Sequence, residues 1–166
     1  MKNRSLSIPE WHALALKGKE LPVRILINGV SMFPLIRRNR DYVTIMPLRG
    51  RPEEGDIVMF RNPRIEGGFL LHRAWKVKED RILTWGDNCK KPDGWLPLED
   101  FWGKAVLIER GDKRIVPDPE KGLALAKAWH VLGREYRWGE VKAAGAMRRV
   151  RRVKELASLL MTQSDQ

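Results

Sequence analysis

The chain has 166 residues, 43% hydrophobic and 32% charged, with a formal net charge of +11 at pH 7. That composition fits one globular domain with a real core and a short appendage, and it excludes a disordered chain. The single cysteine, Cys89, excludes an intramolecular disulfide, and no window approaches the roughly 18 apolar residues of a spanning helix.

The first twenty residues carry Lys2, Arg4, Glu10, Lys17, Lys19 and Glu20 and hold no apolar run, so they do not read as a signal peptide. The location expected is cytoplasmic, with a peripheral position at the inner membrane surface as the alternative. The net positive charge favours an anionic partner. Ser7-Ile8-Pro9-Glu10 reads as a helix start with a capping box, and the short helix should end near Gly18. From Leu21 the texture changes. Val23, Ile25 and Ile27 alternate with Arg24, Leu26 and Asn28 at strand spacing. Further strands are expected at 42–46, 56–60, 69–77, 81–85 and 104–109, and a last short one at 114–116. Turn residues separate them, as in Glu66-Gly67-Gly68, Lys91-Pro92-Asp93-Gly94 and Arg110-Gly111-Asp112.

After Pro117 the period becomes helical. Asp118 can cap a helix from Pro119 to about Leu132, and a second helix fits Glu140 to Met161 with one small and apolar stripe. The fold expected is mainly β: an antiparallel domain over 21–117, preceded by a helical segment (1–20) and followed by a basic tail of two helices (118–166). From Pro119 on there are ten Lys and Arg against five Asp and Glu. That density suits an anionic membrane surface or an acidic partner. No recognised nucleic-acid-binding motif accompanies it, which argues against nucleic acid. Trp95 and Trp102 are expected to pack around the loop that carries Asp93.

Ser31 follows Asn28-Gly29-Val30 at a strand end. A serine there is either a turn residue or a nucleophile, and a nucleophile needs a base and an oxyanion site. Of three histidines, His72 lies mid-strand, sharing a face with Leu70 and Ala74. Apolar neighbours on that face suggest a depressed pKa, hence a neutral, basic ring near neutral pH. Asp87 and Asp93, in the turn-rich stretch that follows, are the acids able to orient it. Scattered histidines and the lack of a cysteine pair give no metal site, and no cofactor is called for. Cys89 reads as a bland free thiol.

The ordered set is Gly29-x-Ser31-Met32-x-Pro34, Asp41, Gly55-Asp56-Ile57-Val58-x-Phe60, His72-Arg73, Gly86-Asp87-Asn88 with Asp93, and Gly103-Lys104-Ala105-Val106. Over about residues 20–110 it resembles the type I signal peptidases, and through them the self-cleaving repressor peptidases of the DNA-damage response. Histidine followed by arginine is similar to the archaeal and endoplasmic-reticulum branch, where other members use a lysine base. The resemblance implies a serine endopeptidase with Ser31 as nucleophile and His72 as general base, supported by Asp87 or Asp93. It implies that Asn28, Gly29, Val30 and Met32 face substrate, with oxyanion donors at Gly29 and the Ser31 amide. It also implies an extended peptide or leader segment bound along the strand at about Arg24 to Asn28 and cut after small residues. Two departures stand out. Arg40-Asp41 replaces the family's Gly-Asp, and no membrane anchor is visible. They keep two other readings open: a catalytically silent peptide-binding module of the same fold, and a regulator that cleaves itself or acts through its basic tail.

Overall fold

A computed structural model describes residues 7–137 except 63, 65 and 67, with side chains as far as 131. Helix α1 (Ile8–Leu16) begins at a complete capping box. Ser7 Oγ accepts from the Glu10 amide, and the Glu10 carboxylate accepts from the Ser7 amide at 2.9 Å. This reciprocal pair satisfies two of the amides a helix start leaves bare. The helix is not an appendage. Trp11 is 2% exposed in the main core, and its Nε1 donates to the Leu21 carbonyl at 2.6 Å.

Among the described residues eight antiparallel strands follow: β1 (Val23–Leu26), β2 (Tyr42–Pro47), β3 (Ile57–Arg61), β4 (Phe69–Val77), β5 (Arg81–Trp85), β6 (Gly94–Pro97), β7 (Phe101–Arg110) and β8 (Lys113–Ile115). Their order is β1-β2-β7-β3-β4-β5-β6, with β8 paired to β7. The fold is therefore mainly β. Strand β2 alternates half-buried and buried residues, as a sheet with one covered face must. Strand β3 is buried at Ile57, Val58, Met59 and Phe60, so both its faces are covered. Val43, Ile45, Ile57, Met59 and Ile108 form one core with Trp11; Val58, Phe60, Ala74, Ile82 and Phe101 form the other.

The sequence reading missed β6, because Gly94-Trp95-Leu96-Pro97 follows a strong turn signal and ends on proline. As an edge strand it needs partners on one side only, which is where proline is tolerated. Strand β7 starts three residues earlier than expected, at Phe101. Helix α2 (Pro119–Arg137) begins where Asp118 was read as its cap and runs past Leu132. It docks through close backbone contacts. Gly55, at φ +98°, lies against the Pro119 carbonyl, and Gly122 lies against the Arg73 guanidinium, leaving no room for a Cβ at either glycine. The helix expected over 140–161 lies outside the described residues. Among the described residues, no helix is long and apolar enough to cross a membrane.

Candidate active site

Ser31 lies in a run of turns between β1 and β2, and that run is tied down at its far end. Asp41 is fully buried and takes both Nε and Nη2 of Arg110, the latter at 2.6 Å, while Arg110 also donates to the Leu35 carbonyl. The Arg37 amide donates to Asp41 at 2.9 Å. Burial pushes the Asp41 carboxyl up, yet the Arg110 hydrogen bonds and charge outweigh it and hold it below the usual carboxylate value. Arg40 is accommodated for a simple reason. The left-handed backbone of this turn falls at Asn39 (φ 52°), a residue type that tolerates it, so glycine is not required at 40.

His72 sits on β4, packed edge-on against Phe60 and 3% exposed. In a flat sheet, four strand spacings of about 4.8 Å would separate β1 from β4 by roughly 19 Å. The loop after β5 spans that gap. The Asn88 amide donates to the Ser31 carbonyl at 2.6 Å, and Asn88 Nδ2 donates to the Val30 carbonyl at 3.1 Å. The Cα of Gly86 is the meeting point. A Cβ built there would lie 2.7 Å from Cys89 Sγ, 2.9 Å from the Ser31 carbonyl oxygen and 3.0 Å from His72 Nε2. Glycine is thus what allows the serine turn and the histidine ring to share one corner.

Of the two aspartates, Asp93 meets the histidine. Its Oδ2 is 2.7 Å from His72 Nδ1 and accepts from Thr84 Oγ1 at 2.9 Å. The register explains the reach. Thr84 opposes Ala74 on one side and Gly94 on the other, so Asp93, at the entry to β6, leans over Thr84 toward β4. Asp87 is used elsewhere. It takes Nε and Nη2 of Arg73 at 2.9 and 2.7 Å in a fully buried pair, while Arg73 Nη1 donates to the Gly55 carbonyl. Asp87 therefore supports the loop and does not touch His72.

The expectation of a depressed His72 pKa is corrected. Burial does lower it, but the Asp93 hydrogen bond and charge, with a contribution from the Cys89 sulfur, raise it to about 9. An apolar face alone gave the wrong sign, because the partner carboxylate comes from two strands away. His72 Nε2 is buried with the Cys89 sulfur on its side of the corner, and the bond from Ser31 Oγ is not closed.

The four positions read as substrate-facing divide. Asn28, Gly29 and Val30 are exposed, Val30 at 54%. Met32 is 2% exposed in the main core, so its side chain is packing and only its backbone faces the turn. A Cβ at Gly29 would meet only Ser31 Oγ, at 3.9 Å. Trp102 is not near the Asp93 loop. It stacks on His12 at 3.9 Å and packs against Phe69, whereas Trp85 holds the loop by donating to the Cys89 carbonyl at 3.0 Å.

Sequence reasoning missed Thr84, Arg110 and the clamping role of Asn88. Asn88 belonged to a recognised tripeptide, so its involvement had a signal. Arg110 had none, since its partner Asp41 lies 69 positions away. No family model matches the chain, and no curated protein matches it either.

Proposed function

We propose that the chain is a serine endopeptidase of the signal peptidase type, using Ser31, His72 and Asp93. The observation that carries the reading is the corner at Gly86, where the Ser31 turn and the buried His72 Nε2 meet. In this reading Ser31 Oγ attacks the scissile carbonyl as Nε2 takes its proton. Asp93 fixes the ring tautomer through Nδ1–H and stabilises the imidazolium. The proton then passes to the leaving amine, and water, activated by the same ring, releases the acyl group. In this reading the oxyanion donors are the backbone amides at Gly29 and Ser31, since Gly29 can add no side-chain hydroxyl. Among the described residues strand β1 pairs only with β2, so its other edge suits an extended peptide held by main-chain hydrogen bonds. The excess charge of the tail supports a peripheral position on an anionic surface.

The unclosed Ser31–His72 bond favours one second reading, a module that holds such peptides without cutting them. One experiment separates the two. Extended peptides with alanine or glycine before the scissile bond are incubated with wild type and Ser31→Ala, and the products are weighed by mass spectrometry. The peptidase reading expects fragments from the wild type alone. Equal cleavage by both would end the assignment, and binding without cleavage by the wild type would favour the module.

A further inference from the structure

The turn that joins Ser31 to β2 holds more positive charge than it uses. Arg37, Arg38 and Arg40 crowd its far end, and the only acid in the segment 28–41 is Asp41. Asp41 is saturated. Arg110 takes both its oxygens, and the Arg37 amide takes Oδ2 again. The Arg37 side chain is left over: its Nε is buried and has no hydrogen-bond partner among the described residues. Burial and the Arg110 and Arg40 charges push the Arg37 pKa down, and the Asp41 charge offsets them least. A guanidinium cannot shed its proton to escape this crowding. A buried open donor costs free energy that an incoming acceptor recovers. Arg38 and Arg40 are exposed, and among the described residues neither forms an ion pair. The turn also flanks the candidate groove. The Asn39 amide donates to the Ile27 carbonyl at 2.7 Å, and the Ile27 amide donates to the Asp41 carbonyl at 3.1 Å, so 39–41 runs beside the end of β1. Across the Gly86 corner, the loop clamped by Asn88 carries Lys91, exposed and likewise without an ion pair among the described residues. The acids of that loop are spent on Arg73 and His72.

We propose that Arg37, Arg38 and Arg40 form a subsite for carboxylate side chains, so that the peptides this groove takes are acidic beside the cut. The proposal rests on the peptide groove of the reading above, and it holds whether the peptide is cut or only held. A carboxylate is matched by two parallel N–H donors on one edge of a guanidinium, and Arg37 Nε belongs to such an edge. A lipid surface would use the exposed Arg38 and Arg40 equally well. It gives no use to a buried Nε, which calls for a single inserted acceptor. The open edge of β1 next to this turn takes an extended chain, so the acceptor arrives on a peptide.

The test measures the binding of two fluorescein-labelled extended peptides to full-length Ser31→Ala by anisotropy. Both carry alanine before the scissile bond; one is flanked by glutamates and the other by lysines. The expected result is about tenfold tighter binding of the glutamate peptide, with the gap narrowing as salt is raised. Adding Arg37→Gln should erase most of the preference. Adding Arg38→Glu with Arg40→Glu, at two exposed positions, should reverse it with little change in melting temperature. A preference that survives this double reversal belongs to the basic tail and overturns the proposal. Equal binding of the two peptides, or binding of neither, overturns it too. Anionic vesicles that lose more affinity than the glutamate peptide in the reversed protein would overturn it in favour of a lipid surface. Cleavage by the wild type is a separate readout. Cutting of both peptides at one kcat/KM would sink the subsite and leave the peptidase standing. Selective binding by a wild type that never cuts would leave the subsite standing and end the peptidase reading.

Discussion

Replacing Gly86 with alanine is the sharpest probe of how the site is assembled. The added Cβ would sit 2.7 Å from Cys89 Sγ, 2.9 Å from the Ser31 carbonyl and 3.0 Å from His72 Nε2, where ordinary contact is 3.4–4 Å. The sulfur can turn away. The Ser31 carbonyl cannot do so easily, because the Asn88 amide holds it at 2.6 Å. The His72 ring is pinned by Asp93 at 2.7 Å. The serine turn and the ring must therefore separate by several tenths of an ångström. Overpacking of this kind costs about 1–3 kcal/mol. At about 2–4 °C per kcal/mol for a domain of this size, the melting temperature should fall by a few degrees to about ten. Cleavage should suffer more, since a misplacement near 1 Å can cost about a hundredfold. Urea and thermal melts read the first effect, and turnover of one peptide reads the second. Gly29→Ala is the stability control. Only Ser31 Oγ lies near its new methyl, at 3.9 Å, so the cost should stay within about 0.5 kcal/mol. A Gly86→Ala protein that melts and cuts like wild type would refute the reasoning.

Further outcomes follow from the geometry. With the His72 pKa raised to about 9 from 6.5, the neutral base is populated only at alkaline pH, so kcat/KM should climb through that range. Asp93→Asn removes the largest raising influence and should move the limb to lower pH; a limb that does not move in that variant would contradict the Asp93 assignment. The same shift has a stability signature. The ring binds its proton more tightly folded than unfolded, so its contribution is full below about pH 6.5 and is lost as pH rises through about 9, as melts across that window would show. Asp87→Asn leaves the Arg73 guanidinium buried without its counter-charge and should cost about 3–5 kcal/mol in urea unfolding. A loss under 1 kcal/mol would mean the pair is dispensable. Trp11→Ala should cost about 3–5 kcal/mol, because α1 contributes that ring to the main core; a near-neutral result would make the helix an appendage after all.

What the sequence made legible was local. Alternation at Val23, Ile25 and Ile27 located β1, and Ser7 with Glu10 located α1, because periodicity and capping act within a few residues. The candidate site was legible as residue types, Ser31, His72 and a nearby aspartate, but not as partners. Asp87 and Asp93 lie in one loop six residues apart, and only the pairing of β5 with β6 sends Asp93 across Thr84 to His72. Asp87 faces Arg73 because that guanidinium is buried under α2 and needs a counter-charge. The sign of the His72 shift failed for the same reason: burial was readable from neighbours on β4, whereas the opposing carboxylate was not. Met32 looked like a substrate contact from its place beside Ser31, and the turn instead rotates it into the core.

The central claim is that Ser31 is a nucleophile activated by His72, and a serine-directed fluorophosphonate tests it most directly. Intact-mass and peptide mapping after treatment should show one adduct, on Ser31, formed by wild type and strongly reduced in His72→Gln. A wild-type chain that stays unmodified while correctly folded, or an adduct that forms as fast without His72, would contradict the account.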